Sequence, residues 1–228
     1  MPSPRPRGCS APARWRSDRL GGHLALIDYG AGNLHSVANA LKAAGAGDIR
    51  VTADPEIVRD AERIVLPGVG AFGACANALR SIDGMVAAME ERVMSGGAPF
   101  LGICVGMQLL ATRGVERGVH DGLDWIGGEV RAIAVTDPAI KVPHMGWNDV
   151  APMRHHDGAE LIEDGEAYFL HSYHFAVDDG RDIAALTDHG GAITAAVARD
   201  NLLGVQFHPE KSQRYGIALL ERFLDWRP

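Results

Sequence analysis

The stretch Pro99-Phe100-Leu101-Gly102-Ile103-Cys104-Val105-Gly106-Met107-Gln108 decides the fold. Phe100 to Ile103 is a short apolar run of the kind a strand buried on both faces requires. From Val105 to Ala111 the pattern reads as helical. A strand that turns into a helix at a cysteine flanked by glycines has the context of a nucleophile elbow, with a thiol in place of the more familiar hydroxyl. Such a turn is strained and needs residues without side chains close by, here Gly102 and Gly106. The helix start adds partial positive charge, which favours thiolate over thiol. Read alone, Cys104 could equally be a small buried hydrophobe.

On the N-terminal side the same alternation repeats. Leu24 to Tyr29 is an apolar run ending at Gly30, and Asn33 is placed to cap a helix from Leu34 to Ala44. Ile49–Thr52 and Arg63–Leu66 read as further strands, and helical patterns occupy about 72–80 and 83–94. Strand and helix alternating at this spacing predict an α/β fold with a mostly parallel central sheet flanked by helices. Beyond Ile126 the runs at 128–135, 167–170, 183–187, 192–198 and 202–207 are β-rich. They predict a mixed or antiparallel extension of the same sheet, closed by a helix from Gln213 to Trp226.

Two other segments carry chemistry. Val205-Gln206-Phe207-His208-Pro209-Glu210 ends a β-rich run at a histidine. Proline after it biases His208 toward extended backbone, and residues two apart in an extended segment project to the same side. Glu210 can then fix the tautomer of His208 and support its charge, which supplies the base and orienter that a thiol nucleophile needs. Pro67-Gly68-Val69-Gly70 follows a strand, at the same sheet edge as Cys104 if the sheet is parallel. Glycines there let backbone N–H groups turn toward a developing oxyanion. Seen singly, the first is also a polar strand end and the second only a glycine-rich loop.

Composition limits the alternatives. The 228 residues are 46% apolar with net charge −7, enough for one substantial core. The acidic balance argues against nucleic acid as the main partner. No apolar run approaches the roughly 18–20 residues a spanning helix needs, so no membrane is expected. Cys9, Cys75 and Cys104 stand far apart with no paired spacing, which points to a reducing compartment, the cytoplasm. His155-His156, His171 and His174 do not suggest a metal site, because adjacent histidines share no face and no cysteine cluster accompanies them. Residues 1–22 hold five arginines against one aspartate, which leaves −11 for the remainder. They read as a disordered tail or as a start assigned upstream of the true one, with a transit peptide or a partner-binding arm as alternatives. Residues 23–228 form the expected folded domain.

Taken together, these motifs resemble the class I glutamine amidotransferases, and within them the branch that serves histidine biosynthesis. The resemblance runs from about Leu24 to Leu224. Besides the elbow and His-Pro-Glu it rests on Asp28 to Leu34, Pro67 to Phe72, Val142 to Asn148, His171-Ser172-Tyr173 and Gln206 to Ser212. Val105 stands where leucine is expected, a change that spares its backbone N–H. The resemblance implies Cys104, His208 and Glu210 as catalytic residues that release ammonia from glutamine through a thioester, without a cofactor. It implies an oxyanion hole from the backbone of Val69 and Val105, with Gly68, Gly70, Gln108, Ser172 and Tyr173 at the substrate. It also implies a barrel-fold cyclase partner that receives the ammonia. That partner would dock on Pro143, His144, Met145, Trp147, Asn148, Tyr168 and Lys211.

Overall fold

The computed structural model describes residues 22–153 and 159–228. The arginine-rich tail, up to residue 21, and His155-His156 lie outside them. In chain order the strands are β1 (Leu24–Ile27), β2 (Ile49–Thr52), β3 (Arg63–Gly68), β4 (Phe100–Cys104), β5 (Arg113–Gly114), β6 (His120–Asp121), β7 (Gly128–Ala132), β8 (His144–Pro152), β9 (Gly165–His171), β10 (Tyr173–Val177), β11 (Ile183–Asp188), β12 (Ala192–Arg199) and β13 (Leu202–Val205). The α-helices are α1 (Leu34–Ala43), α2 (Pro55–Arg59), α3 (Phe72–Ser81), α4 (Met85–Met89), α5 (Val105–Gln108) and α6 (Gln213–Asp225).

One sheet has the order β2-β1-β3-β4-β13-β12-β11-β8-β9. Its first five strands run parallel and its last four join by antiparallel pairs. The expected α/β architecture with a mixed extension is thus present. The parallel strands β1, β3, β4 and β13 are buried at every position, as strands covered on both faces must be. Helices α1 and α2 are capped by side chains at their N-termini. Asn33 accepts from Ser36 N at 3.3 Å, and Asp54 accepts from Glu56 N at 2.9 Å with Pro55 at the first helical position. Helix α6 buries Gly216, Leu219, Leu220, Phe223 and Leu224, one stripe at helical spacing.

Three expectations need correction. The run 128–135 does not extend the main sheet: β7 pairs with β10 and β5 in a second sheet of order β10-β7-β5-β6. The helix after Cys104 is one turn, Val105–Gln108, because Leu110 N and Ala111 N already bond three residues back. The helix expected over 83–94 is α-helical only to Met89 and continues to Ser95 with wider π-type bonding.

Register places the site. Gly68 pairs with Cys104, and Val205 pairs with Ile103. The carboxyl ends of three adjacent parallel strands therefore lie level. Each opens into one of the segments singled out above: Val69-Gly70, the elbow, and Gln206 to Glu210. The carboxyl edge of a parallel sheet is where open α/β folds bind ligands.

Candidate active site

Cys104 sits at the end of β4 with φ 55° and ψ −111°, a conformation that glycine adopts readily and other residues do not. Two close approaches hold it there. A Cβ on Gly106 would lie 1.8 Å from the Leu66 carbonyl oxygen, and one on Gly102 would lie 2.6 Å from the Gly106 carbonyl oxygen. The turn of α5 is thus pressed onto β3 and β4 at backbone distance. Gly106→Ala is expected to cost about 3 kcal/mol or more, the upper part of the overpacking range. Urea unfolding checks this; an unchanged midpoint would mean that α5 can lift off β3 freely.

His208 is buried, and its backbone N–H donates to the Tyr168 carbonyl at 2.9 Å. Ser212 Oγ donates to the His208 carbonyl at 2.7 Å and accepts from Tyr168 N at 2.9 Å, which ties the segment to β9. His208 Nδ1 lies 2.8 Å from Glu210 Oε1, with both side chains almost fully enclosed. The contact is not made by the expected extended segment. Pro209–Lys211 is a single 3₁₀ turn that brings the carboxylate back under the ring. Burial acts to lower the pKa of His208. Hydrogen bonds to Cys104 and Glu210 and the attraction of their charges outweigh it and raise the value to about 9.

Among the described residues, Cys104, His208, Val69, Gly70 and Val105 line one cavity with Gln108, Ser172 and Tyr173. Val105 opens α5, so its N–H has no partner within the helix. Gly68 lies behind this wall at the end of β3, its would-be Cβ 2.6 Å from the Tyr29 hydroxyl. Gln108 Nε2 donates to the Tyr173 carbonyl and to Gln206 Oε1, both at 3.0 Å, and Gln206 Nε2 stands 3.7 Å from Cys104 Sγ.

Several residues in or behind this wall have no role that periodicity or spacing in the sequence suggests. Gln206 lies in a β-rich run and in a segment that carries the resemblance, but neither gives it a role of its own. Tyr29 donates to the Pro67 carbonyl at 2.8 Å and Cys75 Sγ to the Val69 carbonyl at 3.4 Å, bracing the glycine loop from beneath. Glu116 accepts from Phe72 N at 2.8 Å at the start of α3, and Glu116 and Arg117 close one side of the cavity.

The candidate docking residues divide by strand alternation. Met145 and Trp147 on β8 pair with Leu170 and Tyr168 on β9, and the four side chains form an outward face. Met145 is 65% and Trp147 46% exposed, and Val142 and Val69 extend the apolar area. Lys211 Nζ stands 5.8 Å from the Tyr168 ring centre, Trp147 meets Tyr168 edge-on, and Pro143 and Lys211 reach the cavity rim. His144 corrects the expectation. It points the other way, is 3% exposed, and cannot meet a partner with its side chain. Asn148, on the same inward register, is half-buried and bonded to His144.

A cysteine on a strained strand-to-helix turn, an enclosed His–Glu pair and a parallel-edge cavity are thus combined in one site, as the resemblance to the class I glutamine amidotransferases implies. The model for "Glutamine amidotransferase class-I" matches residues 25–226, and the chain belongs to that family. More particularly, it is 58% identical to the imidazole glycerol phosphate synthase subunit HisH of Zymomonas mobilis over 207 residues, covering 90% of this chain and 96% of that one. The subunit of the same name from Rhodopseudomonas palustris is 50% identical over 214 residues, 90% and 99% of the two chains. A solved glutamine amidotransferase shares the fold at 19% identity with a TM-score of 0.68, over 88% of this chain and 96% of its own.

Proposed function

We propose that this chain is the glutaminase subunit of an imidazole glycerol phosphate synthase, with residues 23–228 acting as one amidotransferase domain. It hydrolyses glutamine to glutamate and ammonia and passes the ammonia to a barrel-fold cyclase subunit. The cyclase uses it to form imidazole glycerol phosphate and aminoimidazole carboxamide ribonucleotide in histidine biosynthesis. The observation that carries this reading is the Cys104–His208–Glu210 arrangement at the level ends of β4 and β13.

Cys104, with its proton on His208, attacks the side-chain amide carbon of glutamine. The tetrahedral oxygen takes hydrogen bonds from the N–H groups of Val69 and Val105. Each such donor is worth about 10²–10³ in rate. His208 returns its proton to the departing nitrogen, and ammonia leaves behind a thioester. Water, deprotonated by His208, then attacks the thioester and frees glutamate. Glu210 keeps the imidazole oriented and supports its charge throughout. Gly68, Gly70, Gln108, Ser172 and Tyr173 hold the glutamine.

Ammonia in neutral water is mostly ammonium, which is not a nucleophile, so the product needs a covered path. The outward face of Met145, Trp147, Leu170 and Tyr168 beside Pro143 and Lys211 is the proposed docking surface for the cyclase. No helix among the described residues is long and apolar enough to cross a membrane. The unpaired, buried Cys75 and Cys104 fit a reducing compartment, and the cytoplasm is the proposed location.

Reconstitution with a barrel cyclase tests the reading. Glutamine-dependent imidazole glycerol phosphate is expected only from the assembled pair. Glutamate release is expected to be slow from the free chain and to rise when the cyclase carries its ligand, with the Pro67–Gly70 loop as the candidate switch. Equal glutaminase rates with and without the liganded partner would remove the regulatory part of the proposal. Absence of any product from the pair would remove the whole of it.

A further inference from the structure

The glutamine pocket is joined to the docking strand by a chain of hydrogen bonds whose direction can be read from its ends. At the outer end, Asp149 N–H donates to Asn148 Oδ1 at 2.9 Å, and Asn148 Nδ2 donates to the Asp188 carbonyl at 2.8 Å. Backbone groups play only one role each, so they fix which end of the amide is which. The same Nδ2 lies 3.0 Å from His144 Nε2, which must therefore accept. His144 then carries its proton on Nδ1, 3.1 Å from His171 Nε2, which accepts in turn. His171 carries its proton on Nδ1 and donates to the Tyr173 carbonyl at 2.8 Å. The inner end is again a backbone group with one possible role, and the two ends agree. The second hydrogen bond to that carbonyl comes from Gln108.

Every donor in this chain meets an acceptor only when both imidazoles are neutral and in these tautomers. Their surroundings keep them so. Burial, and secondarily the charge of His189, lower His144 to about 4, and burial foremost lowers His171 to about 3. Phe169 and His189 stack on His144 at 4.6 and 4.1 Å, and His174 also acts to lower His171. Strand register produces the pair: His144 stands opposite His171 on β8 and β9, on the inward face behind Met145 and Trp147.

We propose that His144 and His171 are positioning residues for glutamine, carrying a one-way hydrogen-bond chain that holds the Tyr173 carbonyl and through it Gln108. Both hydrogens of the Gln108 amide are spent on Tyr173 and Gln206, so Oε1 is the acceptor it offers to a ligand. A glutamine substrate brings N–H donors on its amide and its ammonium group. A Gln108 amide free to turn over would set donor against donor in half its orientations. The inference rests on the reading of this cavity as the glutaminase site.

The test is glutamine hydrolysis by the complex with its barrel partner, comparing wild type with His171→Phe, His171→Gln and His144→Leu, with the unfolding temperature of each. His171→Phe keeps the ring volume and removes both hydrogen bonds. It is expected to raise KM for glutamine about tenfold, the scale of one lost buried hydrogen bond, and to change kcat by less than about threefold. His171→Gln restores a donor and an acceptor and is expected to bring KM back to within about threefold. His144→Leu breaks the chain one step further out and should raise KM in the same direction. It decides the matter alone if His171→Phe does not assemble. Unchanged KM in these variants, or equal rises for His171→Phe and His171→Gln at equal unfolding temperature, would overturn the proposal. A wild-type complex that forms no glutamate defeats the underlying reading instead.

Discussion

Cys104→Ala in the reconstituted complex loses glutamine-dependent formation of imidazole glycerol phosphate by about 10⁵-fold or more, the scale of removing a nucleophile from a group that acts as a unit. The same complex supplied with ammonium salt at high pH keeps its synthase rate within about twofold of wild type, since a deletion at the thiol leaves the partner's chemistry untouched. The separation follows from geometry. Cys104 closes the floor of a cavity on one protein, while the outward face around Trp147 that would meet the cyclase lies on β8 and β9. A parallel loss of both reactions would locate the defect in folding or docking. A Cys104→Ala chain that still released glutamate would show that another group attacks the amide.

Glu210→Gln gives the next largest loss, about 10²–10⁴ in kcat/KM for glutamine. The carboxylate lies 2.8 Å from His208 Nδ1 in an enclosed site. Burial works against the imidazolium there. The Cys104 and Glu210 hydrogen bonds more than offset it, so the ring stays protonated up to about pH 9. An amide keeps the shape and removes the charge, so the pH at which His208 loses its proton must fall. The glutaminase rate of the variant should therefore decline at lower pH on its alkaline side than wild type does. Stability follows the same sign. A group raised from 6.5 to about 9 contributes stability that is fully present below 6.5 and lost as pH rises toward 9. Urea midpoints at pH 6 and pH 9.5 should differ more for wild type than for Glu210→Gln. An identical alkaline limb in both proteins would mean that Glu210 does not support the imidazolium.

How much of this was legible in the sequence depends on which physical signal each element carries. The parallel strands β1, β3 and β4 bury both faces, so unbroken apolar runs announced them. The elbow was legible because two glycines at a strand-to-helix switch have few other reasons to be there. Strand β8 was missed because its alternation is inverted: Met145 and Trp147 face outward while His144 and Asn148 face the interior. A rule that puts apolar side chains inside cannot find such a strand. His144 was expected on the docking surface because the resemblance implies the segment Pro143 to Asn148 as a whole, and alternation along β8 turns its side chain inward. Strands β5 and β6 are two residues each, too short for any period. The His208–Glu210 pairing was expected from extended backbone and is made by a tight turn begun by Pro209. The residues were right and the reason was different. Gln206, Tyr29 and Cys75 act through atoms brought from distant segments, a relation that spacing along the chain does not encode.

The backbone at Cys104 has one more consequence. At φ 55° and ψ −111° every side chain is a burden, on the order of 1–3 kcal/mol, that glycine would not carry. The thiol is kept in place against the preference of its own peptide unit. In a lineage growing on abundant ammonium, where a cyclase can be fed from solution, selection for the thiol lapses while the strain persists. Drift there would run toward glycine at position 104, which relaxes the turn and at the same time gives up the thiol's hydrogen bond to His208.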